Sequence, residues 1–288
     1  MTHPTTPAAP GELAAAFDAF HTARARTDLT ARLYAAAMGE DYPPEVNASS
    51  SCDWPLLGLM TARLRMRPGQ MLVDAGCGTG GIGLWLARAL AARLTGIDIS
   101  PAAVAQATER RTRFVPAGRA AFRTATLEAT GLPDEYAHGV ICVDALSFAA
   151  DRGAALSEFA RILAPGGRLV LTRSQRTGTQ PPWAEQAQAA GLSVEHVDER
   201  PDEPAMWERL YLLWIEHAVH LARELGETQA QAMLYEAHRM LPDLHARRAV
   251  LLTLRRPPQQ PAGLAAADRM PPPGGPGDTP VTSERTPQ

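Results

Sequence analysis

The sequence VDAGCGTGGIG at residues 73–83 joins a short apolar run to an amphipathic one. Glycines at 76, 78 and 80 permit positive φ angles and let a ligand approach the backbone, and the helix that follows presents free N–H groups. The next apolar run ends at Asp98, whose carboxylate can accept hydrogen bonds from both hydroxyls of a ribose. The stretch therefore predicts a strand, a turn and a helix that hold an adenosine-containing ligand.

Two ligands of that kind compete for the same glycines. Gly78, Gly80 and Gly83 match the G-x-G-x-x-G fingerprint of dinucleotide-binding folds, so a nicotinamide enzyme is one hypothesis. Asp74 argues against it, because a carboxylate at the entrance of the loop repels a pyrophosphate. The same carboxylate attracts the ammonium of a methionyl group, which favours S-adenosylmethionine (SAM).

Strands and helices alternate after the turn signal Pro68-Gly69. Apolar runs predict strands at 71–74, 94–99, 121–125, 140–143 and 168–172, separated by helices at 81–92, 102–113 and 154–163. Two further β-like runs, 193–197 and 249–254, flank helices at 205–225 and 228–241. Because strands that are apolar throughout are covered on both faces, the pattern predicts an α/β fold with a mostly parallel sheet.

The domain organisation follows from the segments on either side of this alternation. Helical periodicity at 12–26, 29–38 and 54–66 predicts an N-terminal helical cap over residues 11–67. We expect the ligand-binding domain at 68–256, with a helical lid around 204–241. Residues 1–10 and 257–288, rich in Pro, Gly and polar side chains, are expected to be disordered tails.

Composition excludes several kinds of chemistry. All 28 basic side chains among the 288 residues are arginine, so no lysine Schiff base, pyridoxal phosphate anchor or P-loop lysine exists. A net charge of −3 gives no support for a nucleic-acid partner. Cys52, Cys77 and Cys142 are too few and too scattered for a disulfide framework or a zinc site. With no membrane-length apolar run and no signal-peptide pattern, we expect a cytoplasmic monomer or homodimer that uses no metal and acts on a small molecule.

The motifs resemble those of class I SAM-dependent methyltransferases, in particular the small-molecule enzymes of bacterial specialised metabolism. Residues 74–80 are similar to their first motif, 96–100 to their second-strand motif, and 161–169 to the turn before their fifth strand. The resemblance implies a Rossmann-like seven-stranded sheet whose last strand is antiparallel, SAM as cofactor and S-adenosylhomocysteine (SAH) as product. The cofactor-binding residues it implies are Asp74, Ala75, Gly76, Cys77, Gly78, Gly80, Asp98, Ile99, Thr126, Leu127 and Val143.

The sequence departs from the family pattern at two places. Ala125-Thr126 stands where the family has Gly-Asp near the adenine amino group, although a threonine hydroxyl can still bond to an adenine edge. Ala137-His138 replaces Phe-Asp before the fourth strand, which we expect to alter packing and a surface bond.

Candidates for a general base are few. In the sugar-type members of the family, a His follows the fourth strand and an acid ends the fifth. Both are missing from the corresponding stretches here, residues 144–148 and 171–174. His21 and Asp144 are the candidate catalytic residues, with the alternatives that His21 only packs beside Phe17 and Phe20 and that Asp144 caps a loop. Methyl transfer also gains much of its rate from alignment alone, so a base is not required for every acceptor.

The predicted substrate pocket combines aromatic and polar side chains, namely Tyr34, Ser147, Arg173, Tyr211 and Trp214. Arg173 either binds an acidic or enolate-like substrate or is solvated. Tyr34 and Tyr42 either cover the sulfonium or pack the helix pair. The apolar face of the 205–225 helix predicts either a lid or plain packing, and Glu195-His196 is expected to be an exposed pair.

Together these features predict a SAM-dependent methyltransferase of natural-product or antibiotic biosynthesis. Its substrate would be a small, largely apolar metabolite such as a polyketide or aromatic intermediate. We expect O-methylation first, and C- or N-methylation next. Since the His and acid that would act as a general base are not evident, the alternative is an enzyme of this fold that binds SAM but catalyses a non-methylating cyclisation or rearrangement.

Overall fold

A computed structural model of the protein describes residues 10–179 and 181–258. Seven strands form one sheet: β1 (Met71–Ala75), β2 (Arg93–Asp98), β3 (Ala120–Thr124), β4 (Ala137–Cys142), β5 (Leu163–Arg176), β6 (Ser193–Glu199) and β7 (Arg247–Arg255). Their order is β3-β2-β1-β4-β5-β7-β6, and β7 runs antiparallel to both of its neighbours. The predicted Rossmann-like, seven-stranded and mostly parallel sheet is confirmed.

Ten α-helices accompany the sheet in the described part of the chain. They are α1 (Pro10–Arg24), α2 (Leu29–Met38), α3 (Trp54–Leu64), α4 (Gly81–Ala89), α5 (Pro101–Arg110), α6 (Arg152–Ile162), α7 (Trp183–Ala189), α8 (Glu203–Glu216), α9 (Ala218–Leu225) and α10 (Glu227–Met240). The sequence did not predict α7. The two predicted tails lie outside the described residues except for Pro10, Pro257 and Pro258.

The predicted single helix at 205–225 is wrong, because the chain turns at His217. This residue leaves the helical region with ψ 20°, ends α8 and begins α9. Its Nδ1 lies 3.0 Å from the carbonyl oxygen of Leu213, which is hydrogen-bond distance from a carbonyl in the last turn of α8. The turn lets α9 pack along α10, a contact that apolar periodicity does not encode.

Helices cover both faces of the sheet, as alternating strand residues require. Leu72 packs with Leu57 and Leu84 of α3 and α4, whereas the next residue, Val73, packs with Phe159 of α6 on the opposite face. All five side chains are inaccessible to solvent. The sheet is therefore a rigid base for the loops at the carboxyl ends of β1, β2, β4 and β5.

A third apolar cluster lies outside the sheet layers. It joins α2, α8, α9 and α10 through buried residues such as Leu33, Leu210, Leu221 and Met233. Side chains of α1, α2, α8 and α10 share one cavity with the loops after β1, β2 and β4. No helix among the described residues is long and apolar enough to cross a membrane.

Candidate functional site

The glycine loop after β1 is held against the end of β2. The amides of Gly76 and Cys77 both donate to the carbonyl of Ile97 at 2.9 Å. Gly76, Gly78 and Gly80 have φ angles of 78°, 51° and 77°, a region that other residues rarely adopt. A Cβ at Gly76 would overlap the side chain of Ala145. Glycine is therefore required here by both conformation and space.

Asp98 closes the other side of this cradle. It lies at the end of β2 with 8% of its surface exposed, and it lines the cavity. One carboxylate oxygen accepts the amide of Gly78 at 2.7 Å and the other accepts that of Ser100 at 2.9 Å. Each oxygen keeps a second lone pair. Burial raises the pKa of Asp98, and the backbone amides oppose that rise by bonding to the charged form.

Asp74 does not lie where the sequence placed it. Its side chain is buried outside the cavity, and it accepts the amide of Gly83 at 3.1 Å at the start of α4. Burial raises the pKa of Asp74 to about 7. Its carboxylate therefore orients the glycine loop from behind instead of lining the ligand side, and Ala75 and Gly80 likewise do not line the cavity.

The cavity has a volume of about 2210 Å³ and receives most of the predicted residues. On the cofactor side it is lined by Gly76, Cys77, Gly78, Asp98, Ile99, Thr126, Leu127 and Val143, and on the other side by Tyr34, Ser147, Arg173, Tyr211 and Trp214. Typical small-molecule sites are about 300–1,000 Å³. One continuous space is thus large enough for an adenosine-containing ligand and a bulky second molecule.

His21 covers the glycine loop from α1. Its ring lies between Phe17 and Phe20, and its Cε1 would be 3.6 Å from a Cβ at Gly78. Burial and the nearby Arg24 lower the pKa of His21 to about 4. The imidazole is therefore neutral at physiological pH, and it faces the loop that would hold the cofactor.

Asp144 has both carboxylate oxygens engaged. Oδ1 accepts the hydroxyl of Thr172 and Oδ2 accepts the amide of Ser51, each at 2.7 Å. Its φ of 52° is one that aspartate tolerates better than most residues. The side chain lines the cavity while joining the β4 loop to β5 and to the segment before α3. This geometry matches a loop-capping group.

An aromatic row extends along one face of α8. The rings of Trp207 and Tyr211 are stacked with centroids 5.6 Å apart, and Trp214 follows at 5.2 Å from Tyr211. Tyr34 of α2 meets Trp207 edge-on. The indole N–H of Trp214 is buried without a hydrogen-bond partner among the described residues. A buried donor without a partner is unfavourable, so a ligand oxygen that accepts this N–H would stabilise the complex.

Arg173 and Tyr42 have different surroundings. Arg173 is half-buried, donates to Gln186 at 3.3 Å and forms no ion pair within the described residues, and burial lowers its pKa. Tyr42 lies outside the cavity and donates to Asn47 at 3.1 Å, so it packs the polypeptide.

Several ionisable residues in and around the cavity escaped sequence analysis. The buried pair of Arg200 and Glu203 joins the start of α8 to Ser51, and Tyr211 donates to Glu236 at 3.1 Å. Glu203 lies two residues before the predicted start of the 205–225 helix, and its spacing of four residues from Trp207 was the only signal that the helical face extends to it.

The predicted exposed pair Glu195-His196 is wrong: His196 is half-buried, with its Nε2 inaccessible and without a hydrogen-bond partner among the described residues, and Glu195 is half-buried as well. This side chain on β6 is 19% exposed and holds Arg168 by two hydrogen bonds at 2.6 and 3.0 Å. His138, by contrast, is exposed and accepts the amide of Met71 at 3.3 Å, a surface bond as predicted. In the part of the chain that the structure describes, no cluster of His, Cys, Asp or Glu could hold a metal ion.

A glycine loop after β1, an acid ending β2 and an antiparallel final strand define the methyltransferase version of the Rossmann-like fold. Residues 73–171 match the family model described as a methyltransferase domain. The chain contains a class I SAM-dependent methyltransferase domain. The cradle suits SAM, because Gly76 leaves room for backbone contact and Asp98 has lone pairs for ribose hydroxyls.

Individual proteins extend the similarity beyond that segment. The chain is 30% identical over 172 residues to the 27-O-demethylrifamycin SV methyltransferase of Amycolatopsis mediterranei (strain S699), covering 59% of this chain and 60% of that protein. It is 37% identical over 111 residues to the O-methyltransferase cnsE of Penicillium expansum, covering 38% and 40%. The chain thus spans less than two thirds of each relative's length.

Among solved structures, the [4+2]-cyclase SpnF has a TM-score of 0.69 with this chain. The likeness covers 89% of this chain and 98% of SpnF at 21% identity. At that identity the similarity shows the fold alone, since one fold supports many reactions.

Proposed function

We propose that the protein transfers a methyl group from SAM to a bulky, largely apolar small molecule, with hydroxyl oxygen as the first-ranked acceptor. The observation that carries the proposal is that the glycine loop and Asp98 open into the same cavity as the aromatic row of α8. The cofactor supplies an electrophilic methyl group when bound.

The protein's own contribution is to bind and orient. The amide of Gly78 is held by Asp98, and the first two residues of α4, Gly81 and Ile82, line the same cavity. His21 and the two phenylalanines of α1 cover that loop and limit access of water. Because alignment supplies much of the rate of a displacement, these rigid elements support the proposed reaction.

The volume of the cavity limits the size of the substrate, and the side chains that line it favour one substrate class. A volume of about 2210 Å³ leaves space beyond an adenosine-containing ligand. Trp207, Tyr211 and Trp214 offer flat apolar faces, and the unpartnered indole N–H of Trp214 suits an oxygen-bearing metabolite. The relatives' names, a rifamycin-type methyltransferase among them, support a polyketide-like product of specialised metabolism. The predicted cytoplasmic location and oligomeric state stay predictions.

Calorimetric titration with SAM, SAH and NADH in parallel tests the cofactor. We expect micromolar binding of SAM and SAH and no binding of NADH. The acceptor is then sought by measuring SAH released with a panel of hydroxylated macrocycles and aromatic polyketides. One SAH per molecule of product supports methyl transfer, whereas product without SAH supports the cyclisation alternative.

A further inference from the structure

Glu203 occupies the first turn of α8 at the end of the aromatic row. Residues 203, 207, 211 and 214 follow each other at helical spacing and all line the cavity. Only 8% of the Glu203 side chain is exposed to solvent. This carboxylate is therefore buried at the end of the row that approaches the β4 loop.

A network of buried groups fixes the position of Glu203. Its Oε2 pairs with Arg200, which also donates to the hydroxyl and carbonyl of Ser51 at 2.9 and 2.8 Å. Ser51 in turn donates its amide to Asp144. Arg200 reaches Asp53 at 3.1 Å as well, so the guanidinium keeps a carboxylate partner when Glu203 is neutral.

The second oxygen of Glu203 has free acceptor capacity. Oε1 receives a long hydrogen bond of 3.4 Å from Trp207. The charged groups that act on Glu203 are Arg200, Asp53 and Asp144. Tyr34 of α2 and Arg247 of β7 line the same cavity. The pKa of Glu203 is raised to about 7, mainly by burial; Asp144 and Asp53 contribute to this rise, whereas Arg200 and the hydrogen bond from Trp207 oppose it. Proton exchange near neutral pH is what a general base requires.

The other two candidates are less suited to this task. Both oxygens of Asp144 already accept short hydrogen bonds from Ser51 and Thr172. His21, with a pKa of about 4, is a weak base and is packed against the glycine loop.

We propose that Glu203 is the general base of the reaction and that the acceptor is a hydroxyl oxygen; this rests on the proposed methyltransferase function. The O–H bond of the substrate breaks and its proton passes to Glu203. The oxygen forms the new bond to the methyl carbon as the methyl–sulfur bond breaks, and that electron pair stays on sulfur. The products are a methyl ether, SAH and neutral Glu203, which returns its proton to water in the cavity.

Labelling with dicyclohexylcarbodiimide tests the protonation of Glu203 without a substrate, because this apolar reagent adds to protonated carboxyl groups. Peptide mapping by mass spectrometry locates the adduct. With a pKa of about 7, labelling of Glu203 should fall about tenfold between about pH 6 and about pH 8. Asp74 has a similar pKa but lies outside the cavity, so it should remain unlabelled and serve as an internal control.

The matched variants are Glu203→Gln and Glu208→Gln, which change the same side chain on one helix. Glu208 lies outside the cavity and pairs with His245 at 3.1 Å. Glu203→Gln should abolish the adduct and keep SAH binding, and Glu208→Gln should change neither. An unlabelled Glu203 in a wild-type preparation that binds SAH overturns the proposal. A preparation that does not bind SAH contradicts the proposed function instead.

Kinetics provide the second readout, with any hydroxyl acceptor that the wild-type protein methylates. Glu203→Gln should lower kcat by about 100-fold or more and leave KM nearly unchanged, because general bases contribute about 10² to 10⁴ in rate. Glu203→Asp should restore part of kcat. In the wild type, kcat should rise with pH, reach half of its maximum near pH 7 and level off above about pH 8, and the variant should lose this dependence. A wild-type kcat in Glu203→Gln contradicts the assignment.

Discussion

Asp98 supports two neighbouring backbone segments and also lines the cavity. Its carboxylate holds the amides of Gly78 and Ser100 and still faces the cavity. Ser100 also receives support from α1, since its hydroxyl donates to Asp18. The acid at the end of β2 therefore orders the glycine loop and the start of α5 in addition to the role in ribose binding that we propose.

Asp98→Ala should weaken SAH binding by about 1.5 to 3 kcal/mol, which is roughly a tenfold to hundredfold rise in Kd, because charge-assisted hydrogen bonds are lost. Isothermal titration calorimetry measures the Kd for SAH in the variant and the wild type. Asp134→Ala is the control, since Asp134 is exposed and pairs with Arg161 away from the cavity. Equal affinity in Asp98→Ala and the wild type would exclude this placement of the ribose.

Gly83 is required because Asp74 packs directly against it. A Cβ there would lie 2.6 Å from Oδ2 and 2.9 Å from Cβ of Asp74. Gly83→Ala should therefore lower the free energy of unfolding by about 1 to 3 kcal/mol through overpacking. Gly58→Ala is the control: Gly58 lies in α3 with no atom near its Cβ position, and alanine there should be neutral or stabilising. Urea denaturation measures the free energy of unfolding of both variants, and equal values would contradict the packing argument.

At the scale of elements, Arg110 connects α5, the glycine loop and the loop that follows α2. It donates to the hydroxyl and carbonyl of Thr79 at 2.9 and 3.2 Å, and to the carbonyls of Glu45 and Val46 at 2.9 and 3.0 Å. Glu45 also accepts from Trp85 and Arg88 of α4. One guanidinium thus keeps a polar loop against the start of α4.

Arg110→Gln should loosen this loop, because the short amide of glutamine cannot reach four acceptors. We expect faster hydrogen exchange over residues 44–50 and 76–80 and a several-fold weaker affinity for SAH. Arg113→Gln provides the comparison, since Arg113 is exposed and donates no hydrogen bond to either loop in the described chain. Unchanged exchange in Arg110→Gln would show that apolar packing alone holds the loop.

At the scale of the whole molecule, buried acids make stability depend on pH. Asp74 has a pKa of about 7 when folded and an ordinary value of 3.8 when unfolded. A raised folded pKa contributes stability that is complete below pH 3.8 and is lost as the pH rises through 7. Glu203 acts in the same direction. His21 acts in the opposite direction, because its folded pKa is lowered and its contribution is lost as the pH falls towards 4.

Asp74→Asn isolates the first contribution, since the amide oxygen of asparagine can still accept the amide of Gly83. Relative to the wild type, the free energy of unfolding of Asp74→Asn should increase by about 2 kcal/mol between about pH 5.5 and about pH 8. His21 and Glu203 are common to both proteins and cancel in the difference. Urea denaturation at the two pH values measures it, and a difference that does not change with pH would mean that Asp74 is ionised throughout.

The sequence alone determined the sheet, the glycine loop after β1 and the acid that ends β2. Apolar runs, glycines and the acid ending β2 are local signals, because backbone conformation and strand burial depend on neighbouring residues. The tertiary structure decided which side of the loop Asp74 occupies, where α8 ends and that Glu203 lines the cavity. Glu203 is 59 residues from Asp144 along the chain, yet Ser51 and Arg200 join them through space. Burial, pKa and hydrogen-bond partners arise only when distant segments pack, so no local pattern could reveal them.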